Sequence, residues 1–428
     1  MLGSAAQNII VLSDNVFLYH YNSSDFGAIG LVGAFYLIIA SIGFGFSRGG
    51  QILIARKYGE NLKSGIGSYF QSLIFFEFLM ALAIMVSIFF YAEPFFSYFI
   101  ESKEILARTL DYIYPRSIGI PFSFIGVCLI GLYTGVARPK FILIDTVILA
   151  VSNIILNYIL IFGHLGFEPM GIKGAGIAST LAEIIAFIAF LIYMVFDKEN
   201  RIYHLLKLER FSVNNVKQTI SISSPIVAQS ILGLGAYFIF FTLIENNSSK
   251  DLEISNLIRN VYLILSIPTW GYSTGINNIV SSFIGNRKRI AVLPMTWKTT
   301  KINVITTLII TIPICLFPMF FLYPLYGGGE SNLLAISTDV LLLLIPIMAL
   351  FSIGSIYLNG LIGTGHTNTA FWIQSFATFL YIVYIYIVVK IYKLNLIWAW
   401  SSEFVYWLAI LLLSFLYLRT KKWHQKLF

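Results

Sequence analysis

Charge is scarce in this sequence. Asp, Glu, Lys and Arg supply 11% of its 428 residues, against roughly 25% in soluble domains, too few to clothe a water-facing surface of this size. Cysteine is nearly absent. Cys128 and Cys315 both fall inside apolar runs, where a free thiol acts as a small hydrophobe, so neither a disulfide framework nor a zinc spacing exists. The histidines (His20, His164, His204, His366 and His424) fall in expected loops or tails. Paired carboxylates, a Cys/His nucleophile arrangement and a phosphate-binding glycine loop are also lacking. These absences argue against an enzyme, and no cofactor is expected.

What the chain has is apolar length. Hydrophobic residues make up 58% of it, in recurring stretches of about 20 or more, each long enough to cross a hydrocarbon core of roughly 30 Å. Backbone amides find no water there, so the stretches form helices or a closed barrel, and continuous apolar runs lack the alternation of barrel strands. The expected spans are 1–19, 29–55, 69–91, 112–136, 141–162, 174–196, 219–244, 255–284, 304–323, 336–361, 369–391 and 396–418. The fold class is therefore all-α and polytopic, with about twelve transmembrane helices.

The net charge of +8 sits in alternate loops, which argues for a bilayer and against nucleic acid as the partner. By this assignment 19 of the 28 Lys and Arg residues lie on one side, among them Arg56, Lys57, Lys207, Arg210, Lys298, Lys301, Lys421 and Lys426. The positive-inside bias makes that side cytoplasmic, with both termini on it, in the plasma membrane, a bacterial inner membrane. Met1 lies almost at the first apolar residue, which leads us to expect further residues upstream. A cleavable signal peptide is not expected, since Asp14 and Asn15 interrupt the run.

Residues 25–59 and 251–285 align without a gap, sharing Asp25/Asp251, Tyr36/Tyr262, Leu37/Leu263, Ile38/Ile264, Gly45/Gly271, Ser47/Ser273, Gly49/Gly275 and Gly59/Gly285. The pattern predicts two six-helix lobes related by a parallel repeat, since an even number of helices returns each half to the same side. Residues 1–196 form the N-terminal lobe, 197–217 a cytoplasmic inter-lobe linker, and 218–428 the C-terminal lobe with a short basic tail. Pro121, Pro225, Pro268 and Pro346 are expected to mark bends, because proline removes a helical hydrogen bond.

Few polar residues lie within the spans. Asp14 sits in the first, where a central carboxylate costs roughly 2.5–3.5 kcal/mol, so it faces a cavity, a partner or a transported cation, or else reaches interfacial water. Asn153 and Asn157 share one face of the fifth helix at i and i+4. They present oxygens to a hard cation such as sodium, or hydrogen-bond between helices. Ser179 and Thr180 follow a small-residue stretch that lets the sixth helix pack closely and frees them to point inward. Glu77 and Glu183 are either second titrating groups or partners for Arg48 or Arg116. In the second half Asp339, Arg259 and Glu403 are expected nearer helix ends, leaving the central acid in the N-terminal lobe alone.

Three stretches carry a resemblance over essentially the whole chain: Ser13 to Gly30, Gly43 to Glu60, and Asn153 to Gly163 followed by Gly171 to Ser179. They resemble the multidrug and toxic compound extrusion (MATE) transporters. That resemblance implies alternating access in a chain for which a monomer suffices, and export of small organic compounds, often cationic or amphipathic, by antiport against sodium or protons. It also implies an N-lobe cation site in which Asp14 and Asn153 fit the family pattern. Asn157 stands where an Asp is frequent, and Ser179 or Thr180 supplies a hydroxyl. Another branch relies on acids in the seventh and tenth helices, and none lies at the middle of either here. A flippase for lipid-linked oligosaccharide or cell-wall precursors, from the same superfamily, is the alternative. It would require arginines such as Arg48, Arg116 and Arg259 for a pyrophosphate.

Overall fold

The computed structural model describes residues 2–203, 205, 212–245, 249–326, 334, 336–420 and 422–424. Met1, His204, Lys207, Arg210, Lys421 and Lys426, read above as chain start, loop or tail, lie outside the described residues. Among those described the chain is all-α, with no strand.

The helices are α1 (Leu2–Tyr21), α2 (Ser23–Gly59), α3 (Lys63–Phe99), α4 (Lys103–Ile118), α5 (Ile120–Gly135), α6 (Lys140–Phe162), α7 (Gly171–Phe196) and α8 (Val213–Glu245). They continue as α9 (Ser249–Gly285), α10 (Val292–Leu316), α11 (Pro318–Tyr326), α12 (Thr338–Gly363), α13 (Thr367–Tyr386), α14 (Leu396–Trp400) and α15 (Ser402–Arg419). Each expected span coincides with a helix or a broken pair. Among the described residues nine stretches are long and apolar enough to cross a bilayer, and α4 with α5 forms a tenth, bent by 50°. The remaining two are α1 and α9. At 1.5 Å per residue the 20 residues of α1 run about 30 Å, a hydrocarbon thickness, and the 37 residues of α9 exceed it.

Several helices outrun the apolar core. The 37 residues of α2, α3 and α9 each extend about 55 Å. Lys298 and Lys301, expected in a loop, are helical residues of α10. The Lys301 ammonium lies 5.1 Å from the Trp297 ring, so the stem rests on the helix while the charge faces away from the apolar stretch.

The prolines act unequally. The fourth span does break, at Gly119, and Pro121 occupies the first turn of α5, where its missing N–H costs nothing. Pro225, Pro268 and Pro346, by contrast, lie inside the continuous helices α8, α9 and α12.

The chain forms two compact units, Leu2–Val227 and Ala228–Phe428, with the boundary inside α8 just beyond Pro225. In the first unit α2 packs between α5 and the start of α8. A Cβ on Gly45 would meet Val227 Cγ2 at 2.5 Å, and one on Gly49 would overlap Ser223. Ser223 Oγ donates to the Phe46 carbonyl at 3.1 Å, and Ser47 Oγ donates to the Val127 carbonyl of α5. Beyond α7 a 3₁₀ turn spans Lys198–Tyr203, and Tyr203 and Leu205 are buried in this unit's core. The core of the second unit gathers residues of α8 to α15, with Trp400 and Phe240 at its centre.

Candidate functional site

The first unit concentrates its buried polar groups around Asp14 of α1, which is fully shielded. Asp14 Oδ1 accepts from Asn157 Nδ2 at 2.8 Å and Asn153 Nδ2 at 3.4 Å, both on α6. Oδ2 accepts from the Tyr112 hydroxyl of α4 and the Ser179 hydroxyl of α7, each at 2.9 Å. The amides are linked in turn: Asn153 Nδ2 donates to Ser179 Oγ at 3.0 Å, and Asn157 Nδ2 reaches Asn153 Oδ1 at 3.3 Å and Ser13 Oγ at 3.2 Å. The i, i+4 spacing of the asparagines makes that possible, since it stacks their amides on one face of α6. Small residues do the rest. Gly174, Ala175, Gly176 and Ala178 are buried, and a Cβ on Gly176 would strike the Tyr112 carbonyl at 2.7 Å, so glycine there sets α7 against α4.

The other candidates separate from this cluster. Thr180 Oγ1 donates to the Pro115 carbonyl at 2.8 Å instead of reaching Asp14, holding α7 to α4 at the turn before the break. Glu183 takes Arg116 as its partner. The two form a bidentate pair at 2.6 and 2.7 Å, both buried, with the guanidinium 4.0 Å from the Tyr36 ring centre. A Cβ on Gly119 would meet Glu183 Oε2 at 2.6 Å and Arg116 Nη1 at 2.9 Å. The bend at Gly119 thus makes room for the ion pair. Glu77 is buried on α3 with the Cys128 thiol of α5 as its polar neighbour, and Arg48 is half-buried on α2.

Three buried polar residues stand outside the expected candidates. Tyr112 reads as one of 25 tyrosines in a chain where interfacial belts account for most. Asp145 of α6 is 7% exposed, its Oδ1 lacks a hydrogen-bond partner, and it lines a cavity of about 40 Å³ with Glu183, Ser123, Phe44, Phe122 and Phe187. Its position five residues into the fifth span hides it among ordinary helix-end acids. Glu403 does lie near a helix end, in the first turn of α15, yet is 6% exposed, with Trp407 and Tyr262 as its hydrogen-bond partners.

The arrangement is a carboxylate held by donors from three other helices. Such a group can exchange those bonds for a proton or a cation. As the side chains stand, both asparagines turn N–H toward Asp14, and Asn157 Oδ1 is buried without a partner. Rotating the amides would present oxygens at nearly the same positions, and with the carboxylate and Ser179 Oγ these make the oxygen-rich set a hard cation selects. The residues suit either ion.

Comparison with known proteins agrees with this reading of the fold. A family model described as MatE matches residues 1–159. The "probable multidrug resistance protein NorM" of Agrobacterium fabrum is 27% identical over 203 residues, an alignment spanning 47% of this chain and 43% of that protein. A protein of the same description from Thermotoga maritima is 23% identical over 436 residues, spanning 98% and 90%. The chain thus spans less than half the length of the first relative and nearly all of the second. Among solved structures, one described as the outward-facing conformation of a multidrug resistance MATE family transporter of the MOP superfamily superposes with a TM-score of 0.89 at 17% identity, over 98% of this chain and 93% of that one.

Proposed function

We propose, for a chain that belongs to the multidrug and toxic compound extrusion (MATE) family, the function of a multi-pass plasma-membrane efflux antiporter. It exports small organic compounds, cationic ones foremost, against entry of a proton or sodium ion at Asp14. The observation that carries this is the fourfold hydrogen bonding of Asp14 by Tyr112, Asn153, Asn157 and Ser179. With the charge in place, α1 is tied to α4, α6 and α7. A proton on Asp14, or a cation ligated there, takes over the oxygen lone pairs those donors use and loosens α1 from them. Ion occupancy then biases the unit between two arrangements, as coupled transport requires.

The Asp145 cavity gives the reading its substrate class. A buried carboxylate whose Oδ1 lacks a hydrogen-bond partner, beside three phenylalanine rings, favours a positively charged group at that place. The alternative, flipping a pyrophosphate-linked lipid, would require arginines free to bind phosphate, and Arg116 is committed to Glu183.

Everted vesicles loaded with a cationic dye test the proposal under an imposed proton or sodium gradient. Gradient-driven accumulation should be lost in Asp14→Asn and retained in Thr180→Val, whose hydroxyl bonds the Pro115 carbonyl and not Asp14. Accumulation unchanged in Asp14→Asn under both gradients would defeat the coupling role. The gradient that drives the native protein identifies the ion.

A further inference from the structure

The second unit holds a buried acid that coupling at Asp14 does not use. Glu403 lies in the first turn of α15, just past the break that follows Trp400. Its Oε2 accepts from Trp407 Nε1 at 3.0 Å and from the Tyr262 hydroxyl at 3.5 Å. Trp407 Nε1 is also 3.2 Å from the Tyr262 oxygen, so the two donors brace each other. Among the described residues no Lys or Arg forms an ion pair with Glu403, and its Oε1 receives no hydrogen bond.

Aromatic rings pack around it. Trp407 lies 4.6 Å from Phe351 and 4.9 Å from Tyr406; Tyr381 lies 5.8 Å from Tyr406, and Tyr262 5.7 Å from Phe351. The titratable groups facing the carboxyl are Tyr237 of α8, Tyr262 of α9, Tyr381 of α13 and Tyr406 of α15 itself. α12 contributes the apolar Phe351. Arg259 of α9 is the cation whose field reaches Tyr237 in this group, and its guanidinium lies 5.0 Å from the Phe241 ring.

This differs from Glu183 and Asp14 of the first unit. Glu183 has Arg116 against it, and Asp14 has four donors. A charge on Glu403 has two donors on one oxygen and no counter-cation, in a place where uncompensated charge is costly. The rings pack on one another at these spacings, so a small ligand suits the place better than an organic cation. The ligand that fits is a proton. We propose that Glu403 is a second proton-binding site, in the C-terminal unit. A proton taken from water bonds to Oε1 while Oε2 keeps its two donors, and it returns to water when the rings part. The site stands on its own geometry, whatever ion acts at Asp14.

Infrared difference spectra of the whole protein in lipid nanodiscs, taken between acid and alkaline pH, test this without any transport measurement. A protonated-carboxyl band should appear on acidification, persist in Asp14→Asn and vanish in Glu403→Gln. In Trp407→Phe, Oε2 loses a donor, so the same band should move to higher frequency. A spectrum unchanged by Glu403→Gln overturns the proposal. If that variant does not fold, a band that fails to move in Trp407→Phe overturns it equally. Because the readout is spectroscopic, failure of dye efflux would count against the transport reading and leave this result standing.

Discussion

At the scale of single residues, the polar groups inside the first unit divide into those that can exchange and those that cannot. Arg116 and Glu183 belong to the second kind, since each is the other's charge compensation in a buried bidentate pair. Glu183→Gln should therefore destabilise the purified protein by about 3–5 kcal/mol, because it strands a buried guanidinium. Replacing both residues with methionine should recover most of that, as thermal unfolding in detergent would show. The sequence exposes part of this pattern for a physical reason. Asp14, Asn153, Asn157 and Ser179 stand out because polar groups within a bilayer are expensive and need a purpose. Tyr112 escapes notice because tyrosine has an unremarkable place at membrane interfaces, and only the packing of α7 on α4 brings its hydroxyl to Asp14. The pairing of Glu183 with Arg116 rather than Arg48 depends on the bend at Gly119, which no residue spacing reveals.

At the scale of helices, apolar length locates all the spans, and the errors fall at their ends and breaks. Hydrophobicity reports where lipid begins, whereas α2, α3 and α10 continue as helices into polar sequence such as Lys298 and Lys301. Proline content does not by itself locate a break, since Pro225, Pro268 and Pro346 lie inside continuous helices while the break of the fourth span sits at Gly119, two residues before Pro121. The repeated Gly-x-Ser-x-Gly segment shows a finer division. Its serines behave alike: Ser47 bonds to Val127 of α5, and Ser273 lies 2.8 Å from Ser355 of α12, the helix in the corresponding place of the second half. Its last glycines do not. A Cβ on Gly49 would run into Ser223, backbone included, while one on Gly275 would meet nothing within 4 Å. Gly49→Ala should thus cost about 1–3 kcal/mol of stability through overpacking, and Gly275→Ala should leave the unfolding temperature unchanged. Equal losses for the two variants would refute this account of α2 against α8.

At the scale of the whole molecule, the chain is a polytopic membrane protein whose orientation we propose from its loop charge. Single cysteines introduced at Asn61 and at Glu168 should label from opposite sides, Asn61 in everted vesicles and Glu168 in intact cells, with a membrane-impermeant maleimide. The background is favourable because Cys128 and Cys315 are both buried free thiols. Labelling of both sites from one side would reject the topology. The unequal surroundings of Gly49 and Gly275 also bear on how such a gene can change. Two homologous stretches in one reading frame invite recombination between them, and an exchange of residues 45–49 with 271–275 keeps every shared glycine and serine. It would still replace Phe46, whose ring packs 4.9 Å from Phe76, and Arg48. Each copy is fitted to different neighbours, so an exchange that looks silent in the repeat would disturb the packing of α2.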